Sequence, residues 1–380
     1  MHALPHTPER FRYMSENRIK ELRQEIDSIN LQMLELLSNR ARIAKEIGGI
    51  QTGMGTSQYD PMREKEMLDA LTKANKGPFE NDTLKSLFKS IFQASMEVGK
   101  KADKPKFLTA RETKGEDTII TIGDLPIGGK HSPVLIAGPC AIESKEQVEM
   151  TAEFVASKGV KIFRGGAYKP RSNPYSFQGL GEEGLKIGRE ACDKYGLLFD
   201  AEIMDASDLD LFVEYADILQ IGARNSQNFT LLKAIGKTTK PVLLKRGLSS
   251  TIEEWVMSAE YLMSEGNSNV ILCERGIRTY EQYTRNTLDV SAVALAKQET
   301  HLPVIVDVTH SGGRRDLLVP LTKAGLAVGA DGIMTEVHPN PAVALSDQKQ
   351  QMDFEQFDAY LNETGYHKKL SEKRHEVYGF

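Results

Sequence analysis

Pro303 to Ser311 reads PVIVDVTHS and sets an acid and an imidazole at the exit of a run of β-branched apolar residues. Such a run reads as a strand buried on both faces, and parallel α/β folds place their chemistry at the carboxyl ends of these strands. Taken alone, Asp307 is equally well explained as the cap of a following helix, and His310 as a satisfied histidine. Seven other apolar runs also end in polar residues. Their tips carry Cys140, Arg164, Glu202, Arg224, Lys245 with Arg246, Glu274 with Arg275, and Glu336 with His338. A single charged tip could be a solvated loop or an ion pair between neighbours. Gathered on one face, the tips must satisfy their charges mutually, which favours an active site.

The charges sort into two groups. Arg164, Lys169, Arg171, Arg224, Lys245 and Arg275 outnumber the acids around them. Such a cluster is costly to hold without counter-charge and reads as a place for phosphates and carboxylates, more than one at a time. Cys140, His310 and Glu336, with Asp347 as a further candidate, form the second group. Mixed sulfur, nitrogen and oxygen donors suit one divalent transition metal of the Mn, Fe, Co or Zn class. A lone cysteine is more often a structural thiol, but Cys140 follows Gly138-Pro139 at a strand end. Cys192 and Cys273 are assigned to packing, and His338, followed by Pro339, is left outside the ligand set. A metal beside a polyanion site suggests polarisation of a carbonyl while a phosphorylated partner attacks it. A Schiff-base aldolase using Lys245 or Lys169 is the rival on chemistry, and a catalytically silent scaffold the rival from another class.

The elements that must position these residues repeat one design. Eight short apolar runs, from PVLIAGPC to GIMTEVH, are each followed by a helical stretch. They begin roughly 20 to 35 residues apart, the length of a βα unit. The expected fold is therefore α/β, a (β/α)8 TIM barrel, with a hairpin over Thr118–Gly129. Ser144-Lys-Glu-Gln147, Ser207-Asp-Leu-Asp210 and Thr251-Ile-Glu-Glu254 are expected helix starts, and Trp255 outer-ring packing. In front of the barrel, apolar residues from Ile19 to Ile47 recur at spacings of three and four, predicting one long helix over 16–47. Glycines 48, 49, 53 and 55 are expected to end it. Asp60-Pro61 starts a short second helix, and Asp82-Thr83 a third. The expected domains are 1–100, all helical, a charged linker over 101–116, and the barrel over 117–380. Three unequal helices give a thin core, so the front should dimerise or dock.

Length and composition agree with this division. The chain has 380 residues, 40% hydrophobic and 27% charged, with a net charge of -5 and three widely spaced cysteines. The acidic balance argues against nucleic acid as a partner, and the odd, scattered cysteines against a disulfide framework. The N-terminal MHALPHTPERF has no apolar core of signal-peptide length, and no run reaches a membrane span. A cytoplasmic protein is expected.

The motifs AGPC, FRGGAYKPRSNPYSFQG, IGARNSQN, LLKRG, CERGIRTY, DVTHSGGRR and EVHPNPAVALSDQKQQM are similar, one after another, to 3-deoxy-D-arabino-heptulosonate 7-phosphate (DAHP) synthase. The resemblance runs from about residue 117 to 357. It implies condensation of phosphoenolpyruvate with erythrose 4-phosphate and release of phosphate, the first step of the shikimate pathway toward aromatic amino acids. It makes Cys140, His310, Glu336 and Asp347 the metal ligands. Arg164 and Lys169 hold the phosphoenolpyruvate carboxylate, and Arg224, Lys245 and Arg275 its phosphate. Arg171 and Ser172 take the phosphate of erythrose 4-phosphate, Asp307 contacts its hydroxyl beside the aldehyde, and Lys169 and Glu202 handle protons. The sister synthase making 3-deoxy-octulosonate 8-phosphate carries KANRSS where this chain has Lys169-Pro-Arg-Ser172 and ranks second.

Over 16–100, the pattern LRQEIDSIN, LLSNR and DPMREKEML resembles the all-helical chorismate mutase family. That implies a dimer binding a dicarboxylate between helices, with Arg23, Arg40 and Arg63 as cations and Asp60 and Glu64 for the substrate hydroxyl. Gln51 stands where the family has a lysine on the ether oxygen, and Gly99 where it has glutamine or glutamate. Losing those donors removes stabilisation of developing charge. The front is therefore expected to turn over chorismate weakly or not at all and to sense chorismate or prephenate, in a homodimer or homotetramer; a fully bifunctional enzyme is the alternative.

Overall fold

The computed structural model describes residues 8–54, 60–102, 106–171 and 173–366, with only the backbone for 8–14, 52–53 and 96–102. The chain forms two compact units, Met1–Pro105 and Lys106–Phe380.

The first unit is helical: α1 (Pro8–Gly53), α2 (Pro61–Ala74) and α3 (Asn81–Ala102). Helix α1 runs through Gly48 and Gly49 rather than ending there, and Gly48 is buried. Gly55 lies outside the described residues. Asp60 caps α2, accepting from the main-chain N–H groups of Met62 and Arg63, with Pro61 at the first helical position. The apolar stripe of α1 is not covered within the unit: Ile19, Leu22, Ile26, Ile29, Met33, Leu36, Ile43 and Ile47 are all exposed. Leu68 and Phe92 are the hydrophobic residues classed as buried among those described here.

The second unit opens with a segment expected to be linker, and the structure corrects this from Lys106 onward. The main-chain N–H groups of Leu108 and Thr109 donate to Glu260 at 2.8 and 2.9 Å. Arg111 reaches the carbonyl of Lys297, and Ala110 bridges Thr300. His301 contacts both Thr118 Oγ1 and the Leu108 carbonyl at 2.7 Å. Charge had suggested a solvated tether, but the polar groups are satisfied by the barrel's surface.

A hairpin follows, β1 (Ile120–Ile122) with β2 (Leu125–Ile127), as its alternating sequence predicts. Eight parallel strands then close a barrel: β3 (Val134–Gly138), β4 (Ile162–Arg164), β5 (Leu198–Ile203), β6 (Ile218–Ile221), β7 (Val242–Lys245), β8 (Val270–Glu274), β9 (Val304–Asp307) and β10 (Gly332–Glu336). They pair in chain order, and β10 returns to β3. Around them lie α4 (Lys145–Ser157), α5 (Glu182–Tyr195), α6 (Leu209–Tyr215), α7 (Phe229–Gly236), α8 (Ile252–Ser264), α9 (Val290–Glu299), α10 (Val308–Gly312), α11 (Leu318–Ala327) and α12 (Phe354–Thr364).

Alternation along each strand makes two cores. One set, including Leu135, Phe163, Phe199, Leu244 and Val306, packs against the helices, with Trp255 buried and donating to the Leu244 carbonyl. The other set, including Ile136, Ile162, Ile218, Leu243, Ile271 and Ile305, fills the lumen and meets Ile120, Ile122 and Ile127 of the hairpin. The hairpin thus packs with the amino-terminal ends of the strands, and the lumen is apolar there and charged at the other end. Thr251 and Glu254 form the expected capping box of α8, and Ser144 caps α4. At 207–210 the cap is Asp205, opening a 3-10 turn that leads into α6.

Candidate active site

A cavity of about 170 Å3 lies at the carboxyl ends of the strands. Nine of the expected residues line it: Cys140, Lys169, Arg171, Glu202, Arg224, Lys245, Arg275, His310 and Asp347. Arg164, Asp307 and Glu336 are buried, and Ser172 lies outside the described residues.

Backbone geometry delivers the first donor. Gly138 ends β3 at φ +158°, and a Cβ there would collide with the Arg164 carbonyl, so only glycine lets β3 turn past β4 into Pro139 and Cys140. Cys140 Sγ lies 3.4 Å from Asp347 Oδ2. His310 Nε2 lies 3.4 Å from Glu336 Oε1 and 3.5 Å from Asp347 Oδ2. Ligating atoms of the four residues all fall within 4.8 Å of one another. A first-row metal bound at about 2.0–2.3 Å gives tetrahedral edges of about 3.3–3.8 Å, which brackets the close separations. Donor chemistry and spacing both fit a divalent transition metal.

Each donor is aimed by a further contact. Asp307 accepts from the His310 main-chain N–H at 3.0 Å, capping α10, and contacts His310 Nδ1 at 2.8 Å. The same carboxylate accepts from Lys245 Nζ at 2.7 Å. Asp307 is fully buried and is not among the residues that line the cavity, where an acceptor hydroxyl was expected to meet it; its contacts are with His310 and Lys245. Glu336 is ion-paired to Arg164 and accepts from Gln350 Nε2 at 2.6 Å. Asp347 holds a left-handed backbone, φ +48°, which is uncommon outside glycine, and accepts from Arg285 at 3.1 Å.

Electrostatics follow the same contacts. Burial resists charge on His310, but Asp307 and Glu336 outweigh it and raise its pKa to about 9. Burial pushes Asp307, Glu336 and Asp347 upward, yet neighbouring cations hold all three below the usual carboxylate range: His310 beside each, joined by Lys245, Arg164 and Arg285 in turn. A metal bound there would compete with the imidazole proton.

The anion set behaves differently. Lys169 is 8% exposed and donates to the Cys140 carbonyl at 2.9 Å; Arg275 is 5% exposed. Neither has a carboxylate within ion-pair reach among the described residues, and burial lowers the Arg275 pKa. Arg171 and Arg224 extend this set to the rim. Arg246 and Glu274, counted among the strand tips, instead pair with each other at 3.0 Å, with Asp289 joining, away from the cavity lining. His338 contacts Glu143 at 3.4 Å and stays outside the donor cluster.

Several residues escaped the sequence reading. Arg278 and Arg285 line the cavity from the loop after β8. Gln350 and Gln351 touch the donor cluster, and amides offer no charge pattern to notice. Asp200, mid-strand in β5, is 1% exposed with no protein hydrogen-bond partner on either oxygen. An acid inside the apolar run LLFDAEI was the available signal for it.

In the helical unit two of the five expected residues, Arg23 and Arg40, stand far apart within one chain. Arg40 donates to Ser95 Oγ and lies 4.7 Å from the Phe92 ring centroid. Arg23 is exposed, 17 positions earlier on the same helix, or roughly 25 Å away at 1.5 Å per residue. Arg63 pairs with Glu66 at 3.3 Å on the surface, Asp60 is engaged as a helix cap, and Glu64 is half-buried.

Comparison with known proteins agrees with the geometry. Residues 109–371 match the family model described as DAHP synthetase I family, and residues 22–100 that of chorismate mutase type II. A phospho-2-dehydro-3-deoxyheptonate aldolase of Thermotoga maritima is 57% identical over 260 residues, 68% of this chain and 77% of that protein. A 2-dehydro-3-deoxyphosphooctonate aldolase of Fusobacterium nucleatum is 36% identical, over 60% of this chain and 87% of that one. The crystal structure of the Thermotoga maritima DAHP synthase superposes with a TM-score of 0.67 at 56% identity, covering 69% of this chain and 76% of that one. A truncated form of the enzyme gives 0.63 at 53% identity, covering 68% and 94%. With the model matching most of its length, the chain belongs to the DAHP synthetase I family and carries a chorismate mutase type II domain in front of a (β/α)8 barrel.

Proposed function

We propose that the barrel condenses phosphoenolpyruvate with erythrose 4-phosphate and water to give DAHP and inorganic phosphate, dependent on one divalent metal held by Cys140, His310, Glu336 and Asp347. The observation that carries this reading is the adjacency of that four-donor cluster to the buried, unpaired cations Lys169 and Arg275 in one cavity. Bound there, the metal supplies Lewis acidity toward the aldehyde oxygen. Lys169, with Arg164 behind it, receives the phosphoenolpyruvate carboxylate, and Arg275, Lys245 and Arg224 its phosphate. These contacts fix the face that C3 presents to the aldehyde. Arg171 at the rim takes the second phosphate, with Ser172 as its neighbour in sequence. Glu202, half-buried in the cavity wall, and Lys169 are placed to move protons as water adds at C2 and phosphate leaves. Asp307 holds His310 and Lys245 rather than the acceptor.

The eight-carbon synthase reading ranks second, because the heptonate relative is the more similar of the two, 57% against 36% identical. A Schiff-base route is disfavoured for Lys245, whose Nζ is committed to Asp307 and whose pKa stays raised: burial lowers it and Asp307 outweighs burial.

The front unit is proposed as a dimerising sensor of chorismate or prephenate with weak mutase turnover. Its exposed apolar stripe on α1 and the distance between Arg23 and Arg40 both call for a second copy to complete a site. A dimer or tetramer in the cytoplasm is the proposed setting; among the described residues no helix is long and apolar enough to cross a membrane.

One assay tests the whole reading: phosphate release from both substrates, with and without excess chelator, and with and without prephenate. Chelation should abolish turnover, added Mn restore it, and prephenate inhibit it. Full activity in excess chelator would remove the metal, and indifference to prephenate the sensor.

A further inference from the structure

Among the groups around the donor cluster, one neutral side chain touches two of the acids at once. Gln350 is 3% exposed, in the loop that links β10 to α12. Its Nε2 carries two hydrogens and has two carboxylates to give them to, Glu336 Oε2 at 2.6 Å and Asp347 Oδ2 at 3.1 Å. Its Oε1 accepts from Arg285 Nη1 at 2.8 Å, and that nitrogen also donates to Asp347 Oδ2. Which way the amide faces is therefore fixed by charge. Reversed, its oxygen would confront two carboxylates and its NH2 a guanidinium.

We propose that Gln350 is a positioning residue for the metal site: its amide clamps Glu336 and Asp347 together so that one oxygen of each faces Cys140 and His310. The inference rests on reading those four residues as the metal set. Two anions held this close repel, and something must hold them at binding distance. Arg164 and Arg285 already balance the charge of Glu336 and Asp347 one at a time; among these contacts only the neutral amide donates to both carboxylates, and it does so without cancelling more of the charge the metal needs. Neighbouring Gln351 makes a parallel contribution by a different bond, its Oε1 accepting from the Cys140 main-chain N–H at 2.9 Å. Two adjacent glutamines thus tie one loop to three of the four donors, while Asp307 holds the fourth.

The test uses the full chain and Co(II) alone, titrated while the thiolate-to-cobalt charge-transfer band is followed, with no substrate present. Gln350→Met keeps length and volume and removes both donors. It should bind Co(II) about 10–100-fold more weakly than the wild type, the usual cost of losing a group that orients a ligand. Gln348→Ala is the control, since Gln348 is exposed in the same loop and its amide reaches only the Ala344 carbonyl; it should titrate as the wild type does. A purely structural role would lower the melting temperature of the Met variant while leaving its Co(II) affinity unchanged, and that result overturns the proposal. Should Gln350→Met not fold, Gln350→Asn, one methylene too short to span both carboxylates, must show the same loss. A wild type that gives no band at all overturns the metal set and the clamp together, whereas a wild-type band with unweakened variants overturns the clamp alone.

Discussion

Asp200 offers a prediction whose sign and size both come from its surroundings. It sits opposite Arg164 in the β4–β5 register, with Lys245 also near. Burial, the dominant influence, pushes its pKa up to about 7 from 3.8, against the pull of Lys245 and Arg164. The folded protein therefore holds this proton more tightly than the unfolded chain. Its stabilising contribution is complete below pH 3.8 and is lost as the pH rises through 7. The full shift corresponds to about 4 kcal/mol, of which about 2–3 kcal/mol falls between pH 5 and pH 8. Asp200→Asn cannot titrate, so the melting temperature of the variant minus that of the wild type should climb between those two pH values. At about 2–4 °C per kcal/mol for a domain of this size, the climb is roughly 5–10 °C. Calorimetric scans of the barrel transition at several pH values read it directly. A difference that stays flat across the range would refute the argument, because it would mean that Asp200 is ionised in the fold at every pH tested.

Other outcomes follow from single contacts. Lys245→Met leaves the buried Asp307 carboxylate with His310 as its remaining partner and should cost about 2–4 kcal/mol in unfolding free energy; adding Asp307→Asn should recover part of it, and a double variant no more stable than the single one would deny the coupling. In the front unit, Gln51→Lys restores the cation that the mutase resemblance expects on the ether oxygen. Chorismate consumption should rise about 10²-fold, and an unchanged rate would mean that Gln51 is not the missing donor.

The barrel was legible because its strands are buried on both faces: eight apolar runs at βα spacing leave few other folds that bury them. Cys140, His310 and Glu336 were legible as candidate donors because thiol, imidazole and carboxylate stand where apolar runs stop, whereas Asp347 lies in the loop beyond β10 and was named firmly only through the resemblance. What stayed hidden depends on direction rather than composition. Arg246 and Arg275 both follow apolar runs closely, yet Arg275 points into the cavity and Arg246 toward Glu274 and Asp289. The resemblance made Asp307 a substrate contact, whereas its spacing of three residues before the histidine lets it cap α10 and hold the imidazole. Segment 106–116 looked like a tether because charge was all that could be read there, while its partners Glu260 and His301 are more than 140 residues away. The stripe on α1 was clear, but a stripe does not say what covers it.

The charged end of the lumen divides by whether its groups are already paired. Arg164 with Glu336 bridges β4 and β10, and Lys245 with Asp307 bridges β7 and β9; in each case one strand lies between the two. Pairs this deeply buried seldom repay their desolvation, and apolar residues of similar size would hold a barrel together as well. Their presence is better explained by what they hold in place, since Glu336 and, through Asp307, His310 are two of the four donors. Lys169 and Arg275 line the cavity, buried with no carboxylate in ion-pair reach among the described residues, and such cations are stabilised most by an anion that arrives from solution. The lumen is therefore apolar at the hairpin end, and at the other end fixed ion pairs, unpaired cations and the candidate metal donors meet around one cavity. A substrate that brings its own negative charge would give those cations their counter-charge, while the ion pairs keep the candidate donors aimed.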